Sequence, residues 1–443
     1  MNNQYIHIET LDFIPDLLAV HAVHPARYPH LLASNTKDHP QSRYDILFAC
    51  PQQTFTKKLN SPFLTELDKQ WQQQRIDTSI SDLPFTGGWF LYLGYELANE
   101  IEPGLNLPVA EDGLPVAFAT RIPAAIIVDN KTSSACIVCE TEYSECLQQI
   151  KKDLDKNYFS DSYKQAIHIN ELIEDNESTY FKQVEKIHNY IVEGDVFQVN
   201  LSRSWKTQLK SQINHASLYY HLSKSNPGPF NALATLGDQA IISSSPERLI
   251  EVRNGIIETR PIAGTRPRAA SSKTDKDLST ELMAHPKEKA EHIMLIDLER
   301  NDLGRICKAG SVKVNELMAL ETYQHVHHIV SNVCGTLKKD ITPGEIIKAV
   351  FPGGTITGCP KIRCMEILSE LETSGRGAYT GSLGYLNRDG SMDLNILIRT
   401  MVRNNDKLIF RAGGGIVADS NPEHELNETR AKAKGLIMAL QKQ

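Results

Sequence analysis

The chain predicts an α+β fold. Strand-like runs come in groups, runs of helical period stand between the groups, and the two kinds do not alternate strictly as they would in a parallel βαβ protein. In the first 150 residues, apolar, β-branched and aromatic runs bounded by turn clusters predict strands at 44–49, 88–95, 124–128 and 135–139. The polar, weakly periodic stretch 151–176 is the best candidate boundary; it divides an N-terminal region (1–150) from a second region (178–440). Ser178 or Thr179 then caps a helix in which Phe181, Val184, Ile187 and Ile191 keep helical spacing, and which stops at Gly194. Further strands are predicted at 240–244, 248–252, 382–386, 394–401 and 407–411, and helices at 276–299, 343–350, 360–371 and 423–441.

A chain of 443 residues can bury a sizeable core. Its net charge of −7, with no block of Lys or Arg, excludes nucleic acid or an anionic membrane as the main partner. The first residues carry no basic leader followed by an apolar run, and no stretch approaches 18 apolar residues, so a cytosolic protein is expected. Of the eight cysteines, only Cys136 and Cys139 form a Cys-x-x-Cys pair. No second pair stands at zinc spacing, and the run around them reads as strand, so reduced, structural thiols are expected.

Two Glu-x-x-Glu pairs, Glu288/Glu291 and Glu425/Glu428, fall in segments that read as helix. Residues three apart share a helix face, so each pair can present two carboxylates together. Four converging carboxylates require a positive charge between them, and a hard cation with oxygen ligands, Mg²⁺ above all, suits them. Solvated surface charge is the alternative reading. Glycine clusters within 351–361 and 411–416 are either tight turns or places where backbone N–H groups approach an anion. A Walker loop is excluded, because Gly358 is followed by Cys-Pro. The segment 358–361 reads as a loop entering a helix with Pro in its first turn, an N-terminus that favours a carboxylate. Arg399, at the end of an apolar run, needs an anionic partner, either a substrate carboxylate or a structural acid. Of the adjacent His327 and His328, one must face each side of a strand.

These segments together resemble the chorismate-utilising family: anthranilate synthase component I, aminodeoxychorismate synthase component I, and the isochorismate and salicylate synthases. The resemblance spans nearly the whole chain. It rests above all on Gly194-Asp-Val-Phe-Gln-Val199, Ser244-Ser-Pro-Glu-Arg248, Arg260-Pro-Ile-Ala-Gly-Thr265, Glu291-His through Arg300-Asn-Asp302, Thr357-Gly-Cys-Pro-Lys361 and Gly413-Gly-Gly-Ile-Val417. It implies a β-sandwich core of two interleaved subdomains with helices outside, as in anthranilate synthase component I. It further implies that Glu291 and Glu428 ligate Mg²⁺ directly while Glu288 and Glu425 hold the metal's waters, and that Glu247 protonates the departing C4 hydroxyl of chorismate. Tyr379 and Arg399 are implied to grip the enolpyruvyl carboxylate with backbone amides near Gly414 and Gly415. Gly264, Thr265 and Thr355 line the site, and His328 lies beside the leaving groups.

Within that family, water-using members place Lys at position 198 to deprotonate water. Gln198 cannot act as a base, which suits ammonia. Aminodeoxychorismate synthases often carry Lys at position 263, whose amine can attack C2; here it is Ala263, as in anthranilate synthases. Leu31-Leu-Ala-Ser34 and Asn226-Pro-Gly-Pro-Phe-Asn231 depart from the tryptophan grip of regulated anthranilate synthases, though a tryptophan pocket at Ser34 and Tyr44 stays open as a reading. The segments 38–46, 245–248 and 357–358 resemble the aminodeoxychorismate branch more closely. The expectation is therefore Mg²⁺-dependent amination of chorismate to 4-amino-4-deoxychorismate, for 4-aminobenzoate and folate synthesis. Anthranilate synthase is the alternative, and a non-catalytic chorismate- or tryptophan-binding subunit the rival from another class. No Gly-x-Cys-x-Gly elbow occurs, so a glutamine amidotransferase partner, or free ammonium, is expected to supply ammonia.

Overall fold

Alternation along single strands sets the layering. In the strand Tyr44–Ala49, Ile46 and Phe48 enter one apolar cluster, and Leu47 and Ala49 enter another. In Gly88–Leu93, Phe90 and Tyr92 join Ile46 and Phe48, while Trp89, Leu91 and Leu93 face a third cluster. Strands apolar on both faces must be covered on both faces. The result is two sheets face to face, each with helices on its outer side. The computed structural model describes residues 4–34, 41–57, 62–77, 81–154, 161–268, 272–322 and 326–441.

The larger sheet has 12 strands, the smaller 10, and every recorded pair between them is antiparallel. Across the larger sheet the order is Ile6–Leu11, Ser134–Glu140, Ala124–Asp129, Tyr44–Ala49, His30–Ala33, Phe230–Leu236, Gln239–Ser245, Thr400–Asn404, Lys407–Ile416, Gln198–Gln208 and Gly358–Cys359. The smaller sheet runs Ile262–Pro267, Val326–Thr336, Ile256–Thr259, Arg248–Arg253, Met392–Asn395, Ser382–Asn387, Gly88–Leu93, Ala117–Ile122 and Thr54–Thr56. The stretches expected as regions 1–150 and 178–440 thus interleave, since each contributes strands to both sheets. Between the sheets, Phe48 meets Phe85 and Phe90 edge-on at 4.9 and 5.3 Å, and His30 stacks on Phe90 at 3.9 Å. The α+β expectation with a sandwich core and outer helices matches this architecture.

The helices expected at 343–350 and 423–441 are present, as Pro343–Val350 and Pro422–Leu440. Thr342 and Glu345 make a reciprocal capping box ahead of Pro343–Val350. Asn421 caps Pro422–Leu440 by accepting from the Glu423 and His424 amides. Three expectations need correction. The helix expected at 276–299 is two, Ser272–Ala284 and Pro286–Ile306, because Pro286 lacks the N–H and disfavours helix at His285. The cap of Glu177–Val192 is Asn176, which accepts from the Ser178 amide, and not Ser178 or Thr179. The strand expected at 394–401 breaks after Asn395 and resumes at Thr400, with Arg399 left-handed between them at φ 53°. The Cys136–Cys139 run is a strand, and all eight cysteines are free of disulfides. No described helix is long and apolar enough to cross a membrane.

Candidate active site

Two neighbouring crossings of the chain from one sheet to the other build the site. The first leaves the larger sheet at Ser245 and enters the smaller at Arg248, carrying Glu247. The second leaves the smaller sheet at Asn395 and enters the larger at Thr400, carrying Arg399. They are stitched together: Ser245 Oγ donates to the Ile396 carbonyl (2.5 Å), the Ile396 amide to the Glu247 carbonyl (3.0 Å), and the Ser244 amide to the Arg399 carbonyl (3.1 Å). Arg399 and Thr380 are both held at positive φ, 53° and 62°. Such backbone strain in bulky residues persists where the surroundings over-determine it, and it clusters at working sites.

Glu247 is buried, and Thr355 Oγ1 donates to its Oε1 at 2.8 Å. Burial pushes its carboxyl up to about 7, although Thr355, the Ile262 amide and the charge of Lys432 all pull the other way. Near neutrality the group is therefore a poised acid. Arg399 is half-buried in the same place, where desolvation opposes its charge and Tyr379 and Glu428 support it; its guanidinium also donates to the Lys432 carbonyl. His327 faces away, toward Asp275 and Thr322, as the alternation requires. His328 faces the site. Burial pushes its imidazole down to about 4, against a hydrogen bond with the Gly264 backbone and with help from the nearby Arg399 charge. At neutral pH His328 is uncharged, so it can serve as a hydrogen-bonding partner but not as a cation.

The strand Lys407–Ile416 is the spine of the site. Its glycines were open to reading as a tight turn, yet Gly413–Gly415 continue the ladder opposite Leu201, Ser202 and Asn200. They are glycines because side chains cross over them. A Cβ on Gly414 would stand 3.2 Å from Glu425 Oε2 and 3.7 Å from Glu428 Oε1, and one on Gly415 only 2.0 Å from Gln198 Nε2. Gly413 takes the Tyr379 hydroxyl in the same way. Lys432 was missed from the sequence. Its ammonium sits 2.6 Å from Glu428 Oε1 and 2.9 Å from the Gly413 carbonyl, and the only signal was its i+4 spacing from Glu428.

On the other flank, Gly264 is left-handed (φ 60°) at a bulge, and a Cβ there would stand 2.9 Å from Glu288 Oε2. Ala263 and Thr265 belong to the same strand, opposite Ile329 and His328; their side chains lie outside the described residues. Glu288 and Glu291 are half-buried in the first turns of Pro286–Ile306, and Glu425 is half-buried and bonded by Ser420. Glu428 is half-exposed. These four carboxylates offer only oxygen donors, the chemistry that a hard divalent cation takes. Among the described residues no three His, Cys, Asp or Glu side chains form a ready metal cluster.

The sequence pointed to Ser34 and Tyr44 as a second pocket. A cavity of about 500 Å³ between the sheets is lined by Tyr44, Phe230, Asn231 and Arg248 among others; Ser34 does not line it, and its amide donates to Asp45. Part of the segment 38–46 lies outside the described residues.

Comparison with known proteins identifies the family. The family model described as chorismate binding enzyme matches residues 29–438. An anthranilate synthase component I-like protein of Synechocystis is 40% identical over 416 residues, 91% of this chain and 84% of its own. Aminodeoxychorismate synthase component 1 of Escherichia coli is 35% identical over 427 residues, 93% of each chain. The crystal structure of anthranilate synthase component I from Streptococcus pneumoniae superposes with a TM-score of 0.79 at 32% identity, over 90% of this chain and 93% of that one. With Glu247, Arg399 and the 413–415 spine brought together in that fold, the chain belongs to the chorismate binding enzyme family, as a chorismate-utilising enzyme of the anthranilate and aminodeoxychorismate synthase component I type.

Proposed function

We propose that the protein replaces the C4 hydroxyl of chorismate with an amino group, giving 4-amino-4-deoxychorismate as aminodeoxychorismate synthase component I does. The observation that carries the amination is Gln198. Its side chain lies over Gly415 and bears no basic group, so it cannot activate water. Its Oε1 is buried with no hydrogen-bond partner among the described residues, which makes it an acceptor for an incoming N–H donor. Ammonia satisfies that acceptor and needs no deprotonation to attack.

Each residue has a task in the step. Arg399 and Tyr379 receive the enolpyruvyl carboxylate, and Lys432 adds positive charge where the 413–415 backbone leaves room. Glu247, protonated near neutral pH, gives its proton to the C4 oxygen as the C4–O bond breaks, so that water departs instead of hydroxide. The nitrogen lone pair forms the C–N bond, and the proton it sheds restores the balance of the site. Glu291 and Glu428 would hold Mg²⁺, with Glu288 and Glu425 behind them. The ion would supply positive charge for the ring carboxylate of chorismate. A glutamine amidotransferase subunit would supply the ammonia.

Anthranilate synthase component I is the second reading, and Ala263 favours it, since no side-chain amine is available there for attack at C2. That reaction yields anthranilate, pyruvate and water from chorismate and ammonia. One assay separates the two: purified protein with chorismate, ammonium and Mg²⁺, followed by fluorescence and then given an aminodeoxychorismate lyase. We expect no anthranilate fluorescence before the lyase and 4-aminobenzoate after it. Fluorescence that grows without the lyase overturns the choice of product, and chorismate left unconsumed overturns the enzymatic reading.

A further inference from the structure

The strand Gln198–Gln208 turns alternate residues to opposite faces. Val199 and Leu201 enter the apolar cluster that also holds Tyr180 and Val184 of the helix Glu177–Val192, so Gln198 and Asn200 face the other way, toward the site. Asn200 stands opposite Gly415 in the ladder. Side chains directly opposite each other on an antiparallel pair share one face, with Cβ atoms about 4.5–5.5 Å apart. The place that a Cβ would take on Gly415 is filled instead by the Gln198 amide, whose Nε2 lies 2.0 Å from it. The amides of Gln198 and Asn200 are therefore neighbours, and the missing side chain of Gly415 is what lets them meet.

All the polar groups of Asn200 but one are paired. Its backbone N–H donates to the Thr357 carbonyl (3.0 Å), its carbonyl accepts from Arg376 Nη2 (2.6 Å), and its Nδ2 donates to the Thr355 carbonyl (3.2 Å). A carbonyl can only accept, so this side-chain amide cannot be turned round, and Oδ1 is fixed on its other side. That oxygen is buried and has no hydrogen-bond partner among the described residues, and Gln198 Oε1 is in the same condition. Buried acceptors are nearly always satisfied. Two unsatisfied ones on neighbouring amides call for a small donor with more than one hydrogen. Asn200 is also tied to the acid, since Thr355 gives its carbonyl to Asn200 and its hydroxyl to Glu247 Oε1 at 2.8 Å.

We infer that Asn200 is a binding residue for the nitrogen substrate: its Oδ1 and Gln198 Oε1 each accept one N–H of ammonia and leave the lone pair directed at the chorismate ring. This rests on the reading of the reaction as an amination, and it adds to that reading the second residue that holds the nucleophile. Neither amide gains or loses a proton. The pair fixes the place of the nitrogen, next to the Thr355 link to Glu247. Water can meet the same two acceptors, but an amide cannot take its proton, so ammonia alone is ready to attack from there.

The test is the KM for ammonium, with chorismate and Mg²⁺ saturating, in wild type, Asn200→Leu and Asn200→Asp. Both variants lose the donor to Thr355, and only Asn200→Leu loses the acceptor. The expected result for Asn200→Leu is an ammonium KM raised about 2–10-fold, the worth of one neutral hydrogen bond, with the KM for chorismate unmoved. Asn200→Asp should keep an ammonium KM at or below that of wild type. An ammonium KM unmoved in Asn200→Leu overturns the proposal. So does one raised equally in both variants, which would show that Asn200 only braces Thr355. Should the Leu chain not fold, Asn200→Ala is measured in its place and judged in the same way. Wild type decides the amination separately: chorismate consumed at a rate independent of ammonium overturns that reading and the proposal with it. An ammonium-dependent wild type beside an unmoved KM in Asn200→Leu overturns the role of Asn200 alone.

Discussion

Replacing Glu247 by Gln should separate stability from catalysis. In the unfolded chain this carboxyl ionises near its ordinary value of 4.5, and in the folded protein burial pushes it up to about 7. Between those values the native state binds the extra proton, so folding stability falls as pH rises through that window and stays low above it. The difference corresponds to about 3 kcal/mol of strain carried at pH 8 and absent at pH 4. Glutamine keeps the shape and the Thr355 contact but cannot ionise. Denaturant unfolding at pH 8 should therefore show the variant more stable by up to about 3 kcal/mol, with the advantage vanishing toward pH 4.5. Turnover of chorismate should be lost across the whole range. A variant less stable than wild type at pH 8 would refute the argument that this acid is held against the fold's own preference, and a variant with normal turnover would refute its role as proton donor.

Other outcomes follow from the same geometry. Arg399→Ala removes a half-buried charged donor and should raise the KM for chorismate by roughly ten- to a hundredfold, the worth of a charge-assisted hydrogen bond of about 1.5–3 kcal/mol; an unchanged KM places the carboxylate elsewhere. Dialysis against a chelator should abolish turnover and Mg²⁺ should restore it. Glu425→Gln should raise the Mg²⁺ needed for half activity by about 10–100-fold, and calorimetric titration with Mg²⁺ alone should show the same weakening. Glu372 is buried, accepts from Arg376 at 2.8 Å on both oxygens and from Ser202, and has Arg411 3.3 Å away. Burial alone would raise its carboxyl, and the two arginines more than reverse that. Glu372→Ala leaves those cations unpaired and should cost about 3–5 kcal/mol in denaturant unfolding; a loss under 1 kcal/mol would mean the arginines find other acceptors.

Most elements were legible because their signals are local. Tyr44–Ala49 and Pro343–Val350 stand where the apolar pattern and the capping box put them. What escaped depended on contacts remote in sequence. The strand read through 394–401 has an apolar middle at Ile396–Ile398, and nothing local shows that the chain changes sheets there; the Arg399 carbonyl is taken by the remote Ser244 amide. The division of 276–299 into two helices does have a local cause, since Pro286 disfavours helix at His285 while the charged residues on both sides keep helical propensity. Gly413–Gly415 had two readings from sequence alone. Only the side chains crossing from Tyr379, Gln198 and the Pro422–Leu440 helix show that they are strand.

Interleaving also sets the order in which the molecule can be finished. Five strands from the first 140 residues can align as they leave the ribosome, ending in His30–Ala33, whose free edge must wait for Phe230–Leu236. The wait is longer in the other sheet. Gly88–Leu93, the all-buried sequence GWFLYL, pairs Leu93 with Ser382, about 290 residues downstream. At translation rates of about 5–20 residues per second, that edge stays open for about 15–60 s. A nascent chain of this kind holds the Gly88–Leu93 edge open for most of its synthesis, a row of unpaired backbone groups on which another chain can pair.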